Sequence, residues 1–339
     1  MSTLGVIECV ETIWRKGRGE TVRAFCVAAK VNPRGNSRRL ARALVDFGAD
    51  HAFATAAAKV QEHYGVKVSV NRVRQGCVQA ACRMPPPLAV GTLPAGGPEW
   101  IVTETDGTML PMVDTSQAPA GADRRKHRRT HWQEARLSAA RAQGSATARY
   151  GYSRSDTTDA GVAWARTTAQ AGWGTASRLH AVGDGAAWIV EQARAQFGPR
   201  GTYLLDLYHV CDYLATAAPD PNQSRTYVQA HKQALQANRS SEVLAELPSR
   251  LEPHDLPDED APVRRAHRYL ANRPEQLDYA FALAHDLPVG SGLIEGGHRH
   301  VLQARLKRSG AWWSPPTADA IAKLRILRAN GQWLSLWRN

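Results

Sequence analysis

The fold is decided by Trp100-Ile101-Val102-Thr103-Glu104-Thr105-Asp106-Gly107, a stretch dense in β-branched and aromatic residues that ends in glycine. This composition predicts a buried strand that ends at Asp106 in a turn. A similar pattern recurs at Arg178-Leu179-His180-Ala181-Val182, a short apolar run followed by Gly183-Asp184-Gly185. The sequence therefore predicts two buried strands, each of which ends in an aspartate beside a glycine.

Further strands and helices are predicted around these two strands from apolar alternation and from helical spacing. In chain order they are a hairpin of residues 130–138 and 146–152, a helix of 156–171, a helix of 187–197, a strand of 203–207 and a helix of 208–217. Antiparallel strands come first and parallel crossovers later, which predicts a mixed α/β protein with a ribonuclease-H-like sheet. Residues 220–287 contain no convincing strand, so we expect a helical insertion there.

Three short helices are predicted in residues 36–83. Asn36 or Ser37 can cap the first helix, Gly48 is expected to stop it, and Asp50 can cap the second. Gly65 is expected to end the second helix, and the third is expected to begin after Ser69. The pattern indicates a helix-turn-helix-like DNA-binding head, and a helical packing subdomain without contact to a DNA groove is the alternative.

The predicted domain organisation has four parts. A Pro- and Gly-rich segment, 84–98, has the composition of a linker. We therefore expect a degenerate N-terminal segment in residues 1–35, the helical head in 36–83, the linker in 84–98, and a catalytic domain with its insertion in 99–339.

The charge balance favours a polyanionic partner. Lys and Arg outnumber Asp and Glu by 43 to 31, which gives a net charge of +12 and a sequence pI near 9.8. Nucleic acid is the expected partner of such a protein. No apolar run is long enough for a membrane span, and the N-terminus lacks a secretory pattern, so we expect a cytoplasmic, nucleoid-associated protein. The five cysteines form no C-x-x-C pair, which argues against structural zinc.

Three acidic residues are placed as phosphodiester chemistry with metal ions would need them. Asp106 and Asp184 each follow a predicted strand, and Glu295 falls in the first turn of a helix that Ser291 can cap. Carboxylates converging from separate elements can hold two divalent ions for an in-line displacement at phosphorus. Mg²⁺, or Mn²⁺, is the expected ion. Taken singly, an Asp-Gly pair can be only a turn, and a glutamate in a first helical turn can only compensate the helix dipole.

Several short motifs, in this order, resemble the bacterial insertion-sequence DDE transposases of the ISKra type. They are Gly183-Asp184-Gly185-Ala186-Ala187-Trp188-Ile189, Leu205-Asp206-Leu207-Tyr208-His209-Val210, Pro288-Val289-Gly290-Ser291-Gly292-Leu293-Ile294-Glu295, and Gln303-Ala304-Arg305-Leu306-Lys307-Arg308-Ser309-Gly310 with Trp313-Ser314. The resemblance extends from the helical head near Pro33 to the C-terminal tryptophans.

The resemblance implies a ribonuclease-H-like catalytic domain that cuts and joins DNA at the ends of a mobile element. It maps the acidic triad, and with it the metal ligands, onto Asp106, Asp184 and Glu295, with a helical insertion between the second and third acids. Asp206 and His209 match a D-x-x-H signature of related transposases. A structural hydrogen bond between strand and helix is the favoured interpretation of that pair, and direct metal ligation is the alternative. The implied partners are double-stranded DNA and a second copy of the chain in a synaptic homodimer.

This sequence departs from the family in one place. The family commonly has a cysteine-rich, zinc-ribbon-like segment before the head, and here only Cys9 and Cys26 lie in that region. A catalytically silent DNA-binding remnant or repressor therefore remains one alternative, and a ribonuclease-H-fold nuclease that cuts without joining is another.

Two basic segments are candidates for contact with DNA. The first follows Glu295 and combines positive side chains with an aromatic one, so that it could neutralise phosphates and stack on bases. The second is a basic run, which could also be an ordinary solvated loop. The candidate residues are Arg299, Gln303, Arg305, Lys307, Arg308 and Trp313 in the first, and Arg124, Arg125 and Lys126 in the second. Arg299 and Gln303 are expected on the face of Glu295, at i+4 and i+8 of one helix. Core packing is the alternative for the tryptophan.

Overall fold

The computed structural model describes residues 2–5, 8, 10–17, 20–29, 35–85 and 90–338. Its strands are β1 Ile13–Lys16, β2 Glu20–Arg23, β3 Trp100–Asp114, β4 Arg129–Ala142, β5 Arg149–Ser153, β6 Arg178–Gly183 and β7 Gly201–Leu205. Its first five helices are α1 Ala24–Ala28, α2 Arg38–Asp50, α3 Phe53–Tyr64, α4 Val70–Cys82 and α5 Thr157–Gln170. The later helices are α6 Ala187–Phe197, α7 Leu207–Thr216, α8 Ser224–Gln236, α9 Ser240–Glu246, α10 Pro262–Ala271, α11 Tyr279–Ala284, α12 Gly292–Gly297, α13 Ala304–Leu306 and α14 Pro315–Ala329. A π-helix, His298–Gln303, lies between α12 and α13.

The central sheet has five strands in the order β5-β4-β3-β6-β7. β5 runs antiparallel to β4, whereas β6 runs parallel to both β3 and β7. The prediction of a mixed α/β protein with antiparallel strands first and parallel crossovers later is thus confirmed. Within the described ranges, no helix is long and apolar enough to cross a membrane.

β3 differs from the prediction, because it does not end at Asp106. The strand continues through Gly107 to Asp114, and Asp106 lies in its middle. Gly107 is extended rather than turned, and its missing side chain makes room for a neighbour: a Cβ there would lie 2.2 Å from Oε1 of Glu134. Gly107 therefore allows a close approach by a neighbouring strand. Close approach is one of the common reasons for a glycine inside a strand.

The chain divides into two compact units. One contains Met1–Pro86, Leu110–Gln133 and Arg299–Asn339, and the other contains Pro87–Met109 and Glu134–His298. These units and the four predicted parts divide the chain differently, since the C-terminal residues fall with the helical head rather than with the catalytic domain. The reason is the packing of α14 against α4 in the first unit.

The three predicted helices of the head are present in the first unit. Ser37 and Ser69 cap α2 and α4 through their hydroxyls, and Gly65 ends α3 in the left-handed conformation, as predicted. Gly48 does not stop α2, and Asp50 is the last residue of α2 rather than the cap of α3. Gly48 instead lets α4 approach closely, because a Cβ on Gly48 would lie 2.5 Å from Sγ of Cys77.

Apolar residues cover both faces of the sheet in the second unit. Ile101 packs with Trp164, Ile189 and Phe197 on one face, which α5 and α6 cover. The alternate residues Trp100 and Val102 pack on the other face with α7 and with the helices of residues 224–284, where the core includes Leu235, Val243, Leu270 and Tyr279. The described part of residues 220–287 contains helices and no strand, as predicted for the insertion.

Candidate active site

Asp106 and Asp184 lie side by side on neighbouring parallel strands. The register pairs Glu104 with Val182, so two residues further along each strand bring Asp106 opposite Asp184. Neighbouring strands are about 4.8 Å apart, which is close enough for both carboxylates to face one ion. The charges of the two carboxylates also affect the hydroxyl of Tyr203 on β7. Burial is the main cause of the raised pKa of Tyr203, and the charges of Asp184 and Asp106 raise it further.

Asp106 has a different partner at each of its carboxylate oxygens. Oδ1 accepts a hydrogen bond of 2.6 Å from the amide of Gly107. Oδ2 lies 3.3 Å from Nε2 of His298, whose side chain is almost fully buried. No sequence motif pointed to His298. Its only signal was a histidine three residues after Glu295, on the same turn of a predicted helix.

Asp184 follows β6 directly, as predicted, and hydrogen bonds to its carboxylate and to its carbonyl hold it in place. Its Oδ1 accepts a hydrogen bond from the amide of Ala186, and its carbonyl oxygen accepts one of 2.6 Å from the hydroxyl of Tyr269. The guanidinium of Arg273 donates to the carbonyl of Gly185 at 2.9 Å. Tyr269 and Arg273 belong to the helical insertion, so the insertion supports the turn that carries Asp184.

Glu295 is exposed in the first turn of α12, as predicted. Ser291 stands at the N-cap position but does not cap the helix with its side chain. Its hydroxyl and its amide both donate to Oδ2 of Asp206, the amide at 2.7 Å. The start of the Glu295 helix is therefore attached to the start of α7.

Asp206 is fully buried, and four donors satisfy its carboxylate. Besides Ser291, the amides of Tyr208 and His209 donate to Oδ1 at 2.6 and 3.3 Å. These contacts match the structural role that the sequence analysis favoured for Asp206. Ligand atoms of Asp206, His209 and Glu295 nevertheless all lie within 4.8 Å of one another, which the trio of Asp106, Asp184 and Glu295 does not achieve in the described structure. Of the closer trio, His209 and Glu295 have the greater capacity to bind an ion, because the oxygens of Asp206 already accept hydrogen bonds.

Glu104 is a second functional candidate that the sequence analysis missed. It lies two residues before Asp106 on the same face of β3, and only 1% of it is exposed. Its Oε2 accepts a hydrogen bond of 2.7 Å from the amide of Ile294, next to Glu295. Burial raises the pKa of Glu104 to about 8; the bond from Ile294 opposes this, and the charges of Asp206 and Glu295 add to it. A glutamate inside an apolar strand was the signal that could have identified it.

The donor set fits a divalent cation of the hard or borderline class. The carboxylates of Asp106, Asp184 and Glu295 come from β3, from the turn after β6 and from α12 of the same unit, and His298 adds an imidazole. Carboxylate oxygens suit Mg²⁺ and Mn²⁺, and imidazole suits transition ions.

The predicted DNA contacts after Glu295 divide into buried and exposed residues. Arg305 is buried, with its guanidinium 4.8 Å from the ring centre of Phe53 and 4.7 Å from that of Trp313. Burial lowers its pKa to about 10. Trp313 is also buried, and its indole donates to the carbonyl of Leu306. Both residues are core of the first unit, so these two predicted DNA contacts are wrong.

The other residues of this segment remain candidates with a changed geometry. Arg299, Lys307 and Arg308 are exposed, and Gln303 is half-buried. Because a π-helix begins at His298, the α-helical spacing that was to bring Arg299 and Gln303 to the face of Glu295 is interrupted. That part of the prediction is wrong.

The basic run is exposed where the structure describes it. Arg124 and Lys126 lie in a 3-10 helix, Arg124–His127, and both side chains face solvent. The side chain of Arg125 lies outside the described part. DNA contact by this run stays a prediction.

The fold and the site together define a class: a mixed α/β protein with acidic side chains where the parallel pairing of two strands ends and where a later helix begins. The family described as "Uncharacterised protein family (UPF0236)" matches residues 174–338, which include Asp184, Asp206 and Glu295. The chain is also similar to two UPF0236 proteins of Caldanaerobacter subterraneus subsp. tengcongensis, each 28% identical over 154 residues. The match covers 45% of this chain and 31% and 30% of the two relatives, so the chain spans less than a third of their length.

Proposed function

We propose that this chain is a DNA transposase of the ISKra type, with Asp106, Asp184 and Glu295 as its catalytic acids. The observation that carries the proposal is the register of β3 and β6, which brings Asp106 and Asp184 together at adjacent strands. The sheet order and the helical insertion before Glu295 support a ribonuclease-H-like catalytic fold.

The residues of the chain would position DNA and the divalent ions. Asp106, Asp184 and Glu295 would hold Mg²⁺ or Mn²⁺, and the bound ions would activate the attacking oxygen and stabilise the leaving oxygen. Gly107 and Ala186 fix the two aspartates through their amides, while Glu104 and Asp206 fix the helix that carries Glu295. Such preorganisation keeps the carboxylates in place before DNA arrives.

The proposed substrate is double-stranded DNA at the ends of an insertion sequence. The net charge of +12 supports a polyanionic partner, and the exposed Arg124, Lys126, Arg299, Lys307 and Arg308 are the proposed contacts to its backbone. A homodimer would bring two ends together in one complex.

The test is a cleavage and joining assay on labelled DNA that spans the end of the element, with Mg²⁺ or with EDTA. Wild-type protein should nick the DNA to leave a 3′-hydroxyl and should form joined products. Glu295→Gln and Asp184→Asn should fold normally, because neither side chain belongs to the core, and should lose both products.

Three other results would contradict the proposal. Cleavage that persists in Asp184→Asn would remove that residue from the site. Cleavage without joining would indicate a nuclease, and binding without cleavage by the wild type would indicate a silent DNA-binding protein.

A further inference from the structure

His298 is a buried histidine without a hydrogen-bond partner on either ring nitrogen within the described ranges. It is 5% exposed. Each of the other buried histidines has at least one bonded nitrogen: Nε2 of His180 lies 2.8 Å from the carbonyl of Pro288 while its Nδ1 has no partner within the described ranges, and both nitrogens of His231 have partners. A buried polar group without a partner costs about 1–3 kcal/mol, so each such group needs an explanation, and a bound ion is one of them.

The imidazole of His298 is aimed at the acidic site. Its Nε2 lies 3.3 Å from Oδ2 of Asp106, yet the two atoms do not form a hydrogen bond. Two ligand atoms in adjacent positions around one ion with bonds of about 2.1 Å are separated by about 3 Å. A separation of 3.3 Å without a hydrogen bond is compatible with two ligands of one ion.

The position of His298 in the chain supports the same interpretation. It follows Glu295 by three residues and stands at the first residue of the π-helix. Single π-turns inside helices often occur at functional sites, because the wider turn redirects one side chain. Here the first residue of the π-helix is the one whose imidazole meets Asp106.

We propose that His298 binds a divalent metal ion through Nε2 together with Oδ2 of Asp106, so that the site has mixed nitrogen and oxygen ligands. The inference rests on the proposed function, because the same ion would serve phosphodiester chemistry there. It implies a preference for Mn²⁺ over Mg²⁺, since imidazole suits transition ions and Mg²⁺ prefers oxygen ligands.

The experiment measures Mn²⁺ and Mg²⁺ binding by calorimetry, and nitrogen coupling to bound Mn²⁺ by pulsed electron paramagnetic resonance. Wild-type protein should show coupling to ¹⁴N that becomes coupling to ¹⁵N when the histidines are labelled. His298→Gln should lose the coupling and bind Mn²⁺ about 10–100-fold more weakly. His300→Gln, which changes an exposed histidine two residues further on, should keep both.

His209→Gln is the decisive comparison, because His209 lies near Glu295 in the other group of candidate ligands. Coupling that survives in His209→Gln supports His298 as the ligand, and coupling lost there instead overturns the proposal. The isotope measurement on wild-type protein needs no substitution, so it stands even if His298→Gln does not fold.

The outcomes separate this inference from the proposed function. Mn²⁺ binding without nitrogen coupling overturns the inference and leaves the transposase proposal intact. Nitrogen coupling in a protein that neither cuts nor joins DNA supports the inference and contradicts the proposed function. A wild type that binds neither ion overturns both.

Discussion

At the scale of single residues, buried carboxylates do more than the exposed ones to shape the site. Asp206 and Glu104 are both buried, and each accepts a hydrogen bond from the backbone at the start of α12. Glu295 itself is exposed and makes its chemistry available to solvent. In the proposed function, positioning and metal binding are thus divided between different acids.

Glu104 offers a test of this division. Glu104→Leu leaves the amide of Ile294 buried without an acceptor, so the free energy of unfolding should fall by about 1–3 kcal/mol. Glu104→Gln keeps an oxygen at the same place and should cost clearly less. Urea denaturation of the two variants measures the difference, and equal stabilities would contradict the positioning role of Glu104.

The sequence predicted the half-buried Asp184 and the exposed Glu295 better than the fully buried Glu104. Asp184 and Glu295 stand where local signals put them, after a strand and in a first helical turn. Glu104 and His298 depend on contacts to residues distant in the chain, Ile294 and Asp106, which no local pattern encodes. Asp106 was found for a partly wrong reason, because Gly107 accommodates Glu134 instead of forming a turn.

At the scale of elements, glycine in a helix has two opposite meanings in the helical head. Gly65 ends α3 with a φ of +66°, whereas Gly48 continues α2 and lies against α4. Sequence rules favour the first meaning for both residues. Only the packing partner, Cys77, distinguishes them.

Gly48→Ala should therefore destabilise the protein, in spite of the helix propensity of alanine. The new Cβ would lie 2.5 Å from Sγ of Cys77 and 2.9 Å from Cγ1 of Val73, and overpacking of this kind costs about 1–3 kcal/mol.

The matched control is Gly76→Ala in α4, where the nearest atom to a new Cβ is 3.8 Å away. This change should stabilise by about 0.5–1 kcal/mol, because alanine favours helix without a clash. Thermal unfolding of both variants gives the comparison. A Gly48→Ala protein as stable as Gly76→Ala would show that the two helices separate easily.

At the scale of the whole molecule, the sequence predicted a mixed α/β sheet but did not predict how the chain divides into two compact units. The order of strands and helices along the chain follows from local patterns because each element carries its own apolar periodicity. The partition follows from long-range contacts: Arg325 and Arg328 of α14 form ion pairs with Asp50, and Arg305 packs between Phe53 and Trp313. Basic residues that looked like DNA contacts are in part the core of the first unit.

The net charge leads to a prediction about DNA binding. Each phosphate contact contributes about one unit to the slope of the logarithm of the binding constant against the logarithm of salt concentration. Arg124→Gln should therefore reduce this slope by about one. Arg239→Gln is the control, because Arg239 is exposed but pairs with Glu242 at 2.9 Å. Titrations at several salt concentrations measure both slopes, and an equal slope for Arg124→Gln and wild type would exclude Arg124 from the interface.

The chain passes between its two compact units four times, after Pro86, Met109, Gln133 and His298. Neither unit is encoded by one continuous stretch of gene, and the last passage comes directly after the histidine at the acidic site. A deletion, frameshift or early stop that removes the residues after 298 would take α13 and α14 from the first unit and leave the second unit unchanged in sequence. Because the two units alternate along the chain, neither can be exchanged between related genes by a single crossover.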